Sequence, residues 1–177
     1  MTDEQFKAMY DVHCEAPFRL IRAAAPLMRD AGKREMRERG AATPRSIINV
    51  SSTSGIHGNA GQVNYAMAKM GVVGMTKTVA KEWGAFGVRC NAIAYGMIAT
   101  RLIGDKSSGE SITVGGKKIA LGIPGQSSPR ESPALMLTPL RRPGEVSEAA
   151  GAMLMLACDH SSYVTGHTLE VTGGFGI

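Results

Sequence analysis

At 177 residues, 44% of them hydrophobic, the chain is long enough for one domain with a substantial core. No apolar run reaches the about 18 residues of a membrane span, and Met1-Thr2-Asp3-Glu4 lacks the basic start and apolar core of a signal peptide, so a cytoplasmic chain with no membrane partner is expected. The net charge of +5 owes much to Arg29, Lys33, Arg34, Arg37, Arg39 and Arg45; acids interleave with them and aromatics are absent, so a solvated helix end and loop is the reading and no nucleic-acid partner is expected. A phosphate-bearing substrate carrier is a third reading of the same run. Cys14, Cys90 and Cys158 are odd in number and lack metal-ligand spacing, so they read as reduced, small buried residues, with no metal site.

In chain order, Thr2-Asp3-Glu4-Gln5 fits a capping box. Phe6, Met9, Tyr10, His13, Phe18, Leu20, Ile21, Ala24, Ala25 and Met28 then follow helical spacing, with a kink or break expected at Pro17 and Pro26. The polar segment from Gly32 to Pro44 reads as a flexible connection. Ser46–Ser52 is a short run with Ile47, Ile48 and Val50 on both faces, the pattern of a buried strand in a parallel sheet. A glycine-studded loop follows, and Gln62–Trp83 reads as a long helix despite Gly71 and Gly74. Gly84-Ala85-Phe86-Gly87 ends it. Val88–Ala94 is the next strand, running into Tyr95-Gly96-Met97-Ile98-Ala99-Thr100. Residues 101–140 are rich in Gly, Ser and Pro, and the two runs flanking Gly115-Gly116 predict a β-hairpin. The last helix has its body over Ser147–Cys158, and Tyr163–Gly174 closes the chain as a strand. No internal repeat is present.

Three side chains in this pattern carry chemistry. Tyr65 and Lys69 are four apart, so on a helix they share one face. Ser52 lies thirteen positions earlier at a strand's C-terminal end, where open α/β sheets bind ligands. A free tyrosine has a pKa near ~10, and bringing it to work at neutral pH costs about 4 kcal/mol. An ammonium about 4 Å away supplies roughly that at an effective dielectric of ~20. A proton moved on oxygen while a second partner handles hydride is the chemistry of alcohol/ketone interconversion with a nicotinamide cofactor.

Ser52, Tyr65 and Lys69, with Asn49-Val50-Ser51-Ser52 and Asn64-Tyr65-Ala66 around them, resemble the Ser…Tyr-x-x-x-Lys signature of the short-chain dehydrogenases/reductases, and within them the 3-oxoacyl-[acyl-carrier-protein] reductase-like branch. The resemblance covers essentially the whole chain and implies the C-terminal part of a doubly wound parallel-sheet, Rossmann-like α/β domain. It implies an NAD- or NADP-dependent oxidoreductase acting on a carbonyl or alcohol, a small-molecule substrate such as an acyl thioester, with residues 101–140 as the variable substrate loop. It puts His13 where the family carries a fourth catalytic residue, usually asparagine. Two roles are open to His13, anchor of a relay water or satisfied core histidine. Tyr65, Lys69, Gly96, Ile98 and Thr100 fall on cofactor-binding positions, Lys69 on the nicotinamide ribose hydroxyls and the loop on the carboxamide. Tyr95 stands where proline is usual. The long helix and the first helix correspond to those that pair between subunits, implying a homodimer or homotetramer.

The family's opening strand and Gly-x-x-x-Gly-x-Gly turn, whose amides cradle the pyrophosphate, have no counterpart here. Relative to the family about 90 residues are lacking, three βαβ-sized units. Two readings follow: an N-terminally truncated oxidoreductase domain, a fragment whose activity alone is in doubt, or an inactive remnant that serves as an interaction or dimerisation protein.

Overall fold

A computed structural model describes residues 1–114, 116–122, 128, 130 and 132–176. The chain resolves into two compact units, residues 1–94 with 152–170, and residues 95–151 with 171–177.

The first unit opens with helix α1 (Asp3–Tyr10), closed at its start by the reciprocal Thr2–Gln5 capping box. A π-helical turn, Asp11–Glu15, joins it to α2 (Ala16–Ala24). The Ala16 N–H reaches back five residues to the Asp11 carbonyl. Pro17 has no N–H to give the residue four before it, so the widened turn falls where an α-helical ladder would be broken anyway.

The Gly32–Pro44 segment is not a flexible connection: α3 spans Arg29–Arg39 and stops at Gly40, which takes the left-handed φ of 72°. Most of its charged side chains are exposed, as on a solvated helix face, and several of them also have local partners. Glu35 accepts from both guanidinium nitrogens of Arg45 at 2.7 and 3.1 Å and from the Thr43 N–H at 2.6 Å, and pairs with Arg39 at 3.3 Å. Arg29 lies over the Trp83 ring and Lys33 over Phe86. Periodicity missed this helix because its residues are almost all polar and it is held by these pairs.

Strand β1 (Arg45–Ser52), helix α4 (Thr53–His57), helix α5 (Val63–Trp83) and strand β2 (Val88–Tyr95) form the central crossover unit. The expected loop after Ser52 thus contains a short helix. With β5 (Thr168–Val171) the strands make a parallel sheet in the order β1-β2-β5. The Arg45 N–H donates to Gly87 O at 2.8 Å where β1 and β2 begin, and Ala92 N–H donates to His167 O at 2.8 Å. The closing strand is four residues rather than the twelve of Tyr163–Gly174, because Asn91 claims the preceding backbone: its side chain bonds Val164 O at 2.8 Å and the His167 N–H at 3.0 Å.

β2 is the middle strand, and Cys90 to Ala94 are wholly buried. α5 covers it through Val79, Ala80 and Trp83, which cluster with Ala25, Val88 and Cys90. The buried Asn49 amide donates to Thr76 Oγ1 at 2.9 Å, tying β1 to α5. Arg89 of β2 reaches the last carbonyls of helix α6 (Val146–Ala157), at 2.9 Å from Leu156 O, matching a cation to a helix C-terminus.

In the second unit, Ser111–Val114 (β3) and Lys117–Ala120 (β4) pair antiparallel with Ile112 opposite Ile119, the expected hairpin strands. Gly115 and residues 123–127, 129 and 131 of the expected substrate loop lie outside the described residues. Glu148 holds Arg142 in a two-pronged ion pair at 2.6 and 2.7 Å.

Two stability tests follow from the first unit. A Cβ on Gly32 would sit 2.0 Å from the Phe86 carbonyl oxygen, so Gly32→Ala is expected to cost about 3 kcal/mol in urea unfolding. The Arg45 guanidinium, with the Thr43 N–H, holds the Glu35 carboxyl at about 2 against an ordinary 4.5. A carboxylate depressed on folding contributes stability above its unfolded value and loses it as pH falls through the folded one. Stability should therefore drop between pH 4.5 and about 2, and Glu35→Gln should flatten that part of the acid titration measured by circular dichroism.

Candidate active site

Ser52 is the last residue of β1 and the N-cap of α4, its hydroxyl oxygen accepting from the Ser54 N–H at 3.2 Å. Tyr65 lies in the first turn of α5, where the Asn64 side-chain oxygen accepts from its backbone N–H at 2.9 Å. Lys69 follows one turn later on the same face. Its ammonium is 5.6 Å from the centre of the Tyr65 ring. The His13 ring meets Tyr65 edge-on, centroids 5.2 Å apart and planes at 86°. The structure thus brings His13, Tyr65 and Lys69 together, with Ser52 at the end of the strand to which Lys69 is bonded.

Lys69 is only 8% exposed. Its ammonium donates to the Val50 carbonyl oxygen at 3.0 Å, and with His13, Pro17, Leu20 and Val50 it lines a cleft of about 220 Å³. Burial pushes the Lys69 ammonium below its ordinary value, opposed by the nearby Cys14 thiol. Burial, and then the Lys69 charge, lowers His13 as well, so its imidazole is neutral near pH 7. The Cys14 thiol is raised by burial and donates to Ala68 O at 3.3 Å.

Gly96, Ile98 and Thr100 lie in the second unit. The Gly96 N–H donates to Val171 O at 3.0 Å, and Ile98 forms a parallel bridge with Gly144, through Ala99 N–H to Gly144 O at 2.8 Å and Gly144 N–H to Met97 O at 2.9 Å. Thr100 is exposed and opens a 3₁₀ turn, Arg101–Ile103. Where proline would fix φ, the Tyr95 hydroxyl instead donates to Ala149 O at 2.8 Å. Among the described residues no group of three His, Cys, Asp or Glu side chains could hold a metal ion, and no helix is long and apolar enough to cross a membrane.

Sequence reasoning missed Cys14, Ser51 and Gly55 around Lys69. Ser51 and Gly55 flank the residues singled out, but only the packing of β1 and α4 on α5 gives them a partner.

The family model described as Enoyl-(Acyl carrier protein) reductase matches residues 1–137 and 118–176. The chain is 37% identical over 177 residues to 3-oxoacyl-[acyl-carrier-protein] reductase FabG of Thermotoga maritima, covering 100% of this chain and 59% of that protein. It is 39% identical over 176 residues to the uncharacterized oxidoreductase Mb1385 of Mycobacterium bovis, covering 98% of this chain and 58% of that one. To the (3R)-3-hydroxyacyl-CoA dehydrogenase of Mus musculus it is 32% identical over 176 residues, covering 98% and 56%. The chain belongs to the short-chain dehydrogenase/reductase family. It spans 56% to 59% of the length of these curated relatives.

Because Lys69 loses its proton more readily folded than unfolded, its charge costs stability at neutral pH, and that cost fades as pH rises toward 10.5. Lys69→Met should therefore raise the urea midpoint at pH 7, with the gain shrinking as pH rises. An unchanged or lower midpoint at pH 7 would count against the burial assigned to this ammonium.

Proposed function

We propose that this chain carries the proton-handling and substrate-holding residues of an NAD- or NADP-dependent oxidoreductase that interconverts a secondary alcohol and a ketone, with 3-oxoacyl thioesters as the substrate class. The observation that carries the reading is the buried Lys69 ammonium held beside the Tyr65 ring at the end of the Ser52 strand. The names of the relatives, a 3-oxoacyl reductase and a 3-hydroxyacyl dehydrogenase among them, support the substrate class.

In this reading the Ser52 hydroxyl donates a hydrogen bond to the substrate oxygen. Tyr65 gives its phenolic proton to that oxygen as ketone becomes alcohol, and takes it back in the reverse direction. Lys69 supplies positive charge beside the phenol. His13, neutral at pH 7, has a ring nitrogen free to accept a proton or to hold a relay water, and its edge-on packing against Tyr65 is equally that of a core histidine. The donor set suits a nicotinamide, which when bound supplies or accepts the hydride. Gly96, Ile98 and Thr100 are proposed to contact it, as residues 101–140 are proposed to contact the acyl group, with Leu102, Met136 and Leu137 as exposed apolar side chains for that purpose. Exposed Phe6, Tyr10, Met67 and Met70 suit a homodimer or homotetramer.

A second reading, an association protein without turnover, is favoured by β1 standing at the end of the sheet with Val50 44% exposed. Such an edge is a template for another chain.

The test joins this chain to the dinucleotide-binding segment of one of its relatives and follows NAD(P)H-linked reduction of an acetoacetyl thioester. Tyr65→Phe should lower kcat by ~10²- to 10⁴-fold with dinucleotide affinity unchanged. A variant keeping more than about a tenth of the rate, a loss of only ~1.4 kcal/mol, overturns the role of Tyr65. Absence of turnover in the unsubstituted protein, with oligomers of this chain seen by light scattering, decides for the second reading.

A further inference from the structure

We propose that Ser51 is a positioning residue for Lys69: its hydroxyl, with the bare backbone of Gly55, sets the α5 backbone at residue 69 against the segment that carries Ser52. The inference rests on the reading of Lys69 as part of the proton-handling site.

Along a strand successive side chains point to opposite faces, so Ser51 and Ser52 face different ways. Ser51 faces α5 and is 3% exposed. Its Oγ donates to the Lys69 carbonyl oxygen at 2.8 Å. Within a helix that carbonyl serves the N–H four residues on, so the Ser51 bond uses its second lone pair and ties the helix sideways to the strand. Gly55 closes the bracket from the other side. A Cβ there would stand 2.9 Å from the Lys69 carbonyl carbon, the Lys69 Cβ and the Met70 nitrogen, so α4 approaches α5 this closely only because residue 55 lacks a side chain. The Lys69 ammonium, at the far end of its side chain, returns to Val50 O at 3.0 Å. Residues 50, 51 and 55 thus hold one lysine at backbone and head group, with Ser52 between them in the chain.

This bracket is distinct from the general attachment of α5 to the sheet. Asn49 and Thr76 make that tie two turns further along, and the Trp83 cluster makes it at the helix end. Removing the Ser51 hydroxyl leaves both in place and releases α5 only around residue 69. The same bracket accounts for a buried lysine in the second turn of α5: its backbone is held by Ser51 and Gly55 while its ammonium pairs with the Val50 carbonyl.

The test reads Lys69 directly and needs neither nucleotide nor turnover, so it is independent of whether the assigned reaction is right. The 177-residue chain and its Ser51→Ala variant are acylated with an amine-reactive ester, and site-specific rates are read by mass spectrometry. Lys77 and Lys81 on the same helix serve as internal references. Ser51→Ala is expected to speed Lys69 acylation about three- to tenfold relative to these references, the range by which one hydrogen bond of ordinary net strength shifts a local opening. The acceleration should persist unchanged in low, sub-denaturing urea, since a local release exposes little new surface. A Lys69 rate equal to that of the unsubstituted chain, or a rate that climbs with urea as global unfolding does, overturns the proposal. Should Ser51→Ala lose its helical circular dichroism, Ser51→Cys, close in shape and a weaker donor, decides by the same criterion.

Discussion

The burial of one ammonium governs this site. Lys69 sits among apolar side chains where a charge is disfavoured, with the Val50 carbonyl accepting a hydrogen bond from its ammonium and the Ser51 hydroxyl bonded to its backbone. The consequences radiate from that position. Burial and, after it, the Lys69 charge lower His13, and Lys69 offsets part of the rise that burial gives the Cys14 thiol, while its ammonium stands 5.6 Å from the centre of the Tyr65 ring one turn earlier on α5.

The neighbouring elements are arranged around that constraint. α5 delivers Tyr65 and Lys69 on one face because four residues make just over a turn. β1 delivers Ser52 at its end and supplies Val50 and Ser51 on the way. The π turn brings His13 to the Tyr65 ring and Cys14 to the Ala68 carbonyl. Widened turns of this kind recur at functional sites, where one extra residue re-aims the side chains that follow. Here the turn falls just before Pro17, where the helical ladder has a missing donor, so the distortion costs less than it would in an unbroken helix.

Tyr95 shows the same economy in the second unit. The family's usual proline would restrict the turn by its ring. In this chain a phenolic hydroxyl bonded to the Ala149 carbonyl ties the start of that turn to α6, and the Ile98–Gly144 bridge holds its middle. Covalent stiffness is replaced by a hydrogen bond, which holds the backbone only as long as the helix beneath it is in place.

How much of this was legible in the residues alone depended on the range of the interaction. The spacing of Tyr65 and Lys69, the serine at a strand end, the β1–α5–β2 crossover and the hairpin strands were all readable, because each is encoded in the local period of apolar side chains or in neighbours a turn apart; the expected burial of β1 on both faces was not, since among the described residues it lies at the sheet's end with Val50 44% exposed. The Arg29–Arg39 helix was not readable, since its order comes from Glu35 meeting Arg45 and from cations resting on Trp83 and Phe86. The short β5 was not readable either, because Asn91, more than seventy positions away, takes the backbone groups that would have lengthened it. The sequence by itself determined the family, the crossover unit and the spacing of Ser52, Tyr65 and Lys69. Only the tertiary structure decided that Lys69 is buried, that Val50 and Ser51 hold it, and that His13 meets Tyr65. Those facts depend on a strand packing across a helix, and no local pattern of residues records which carbonyl a lysine will find.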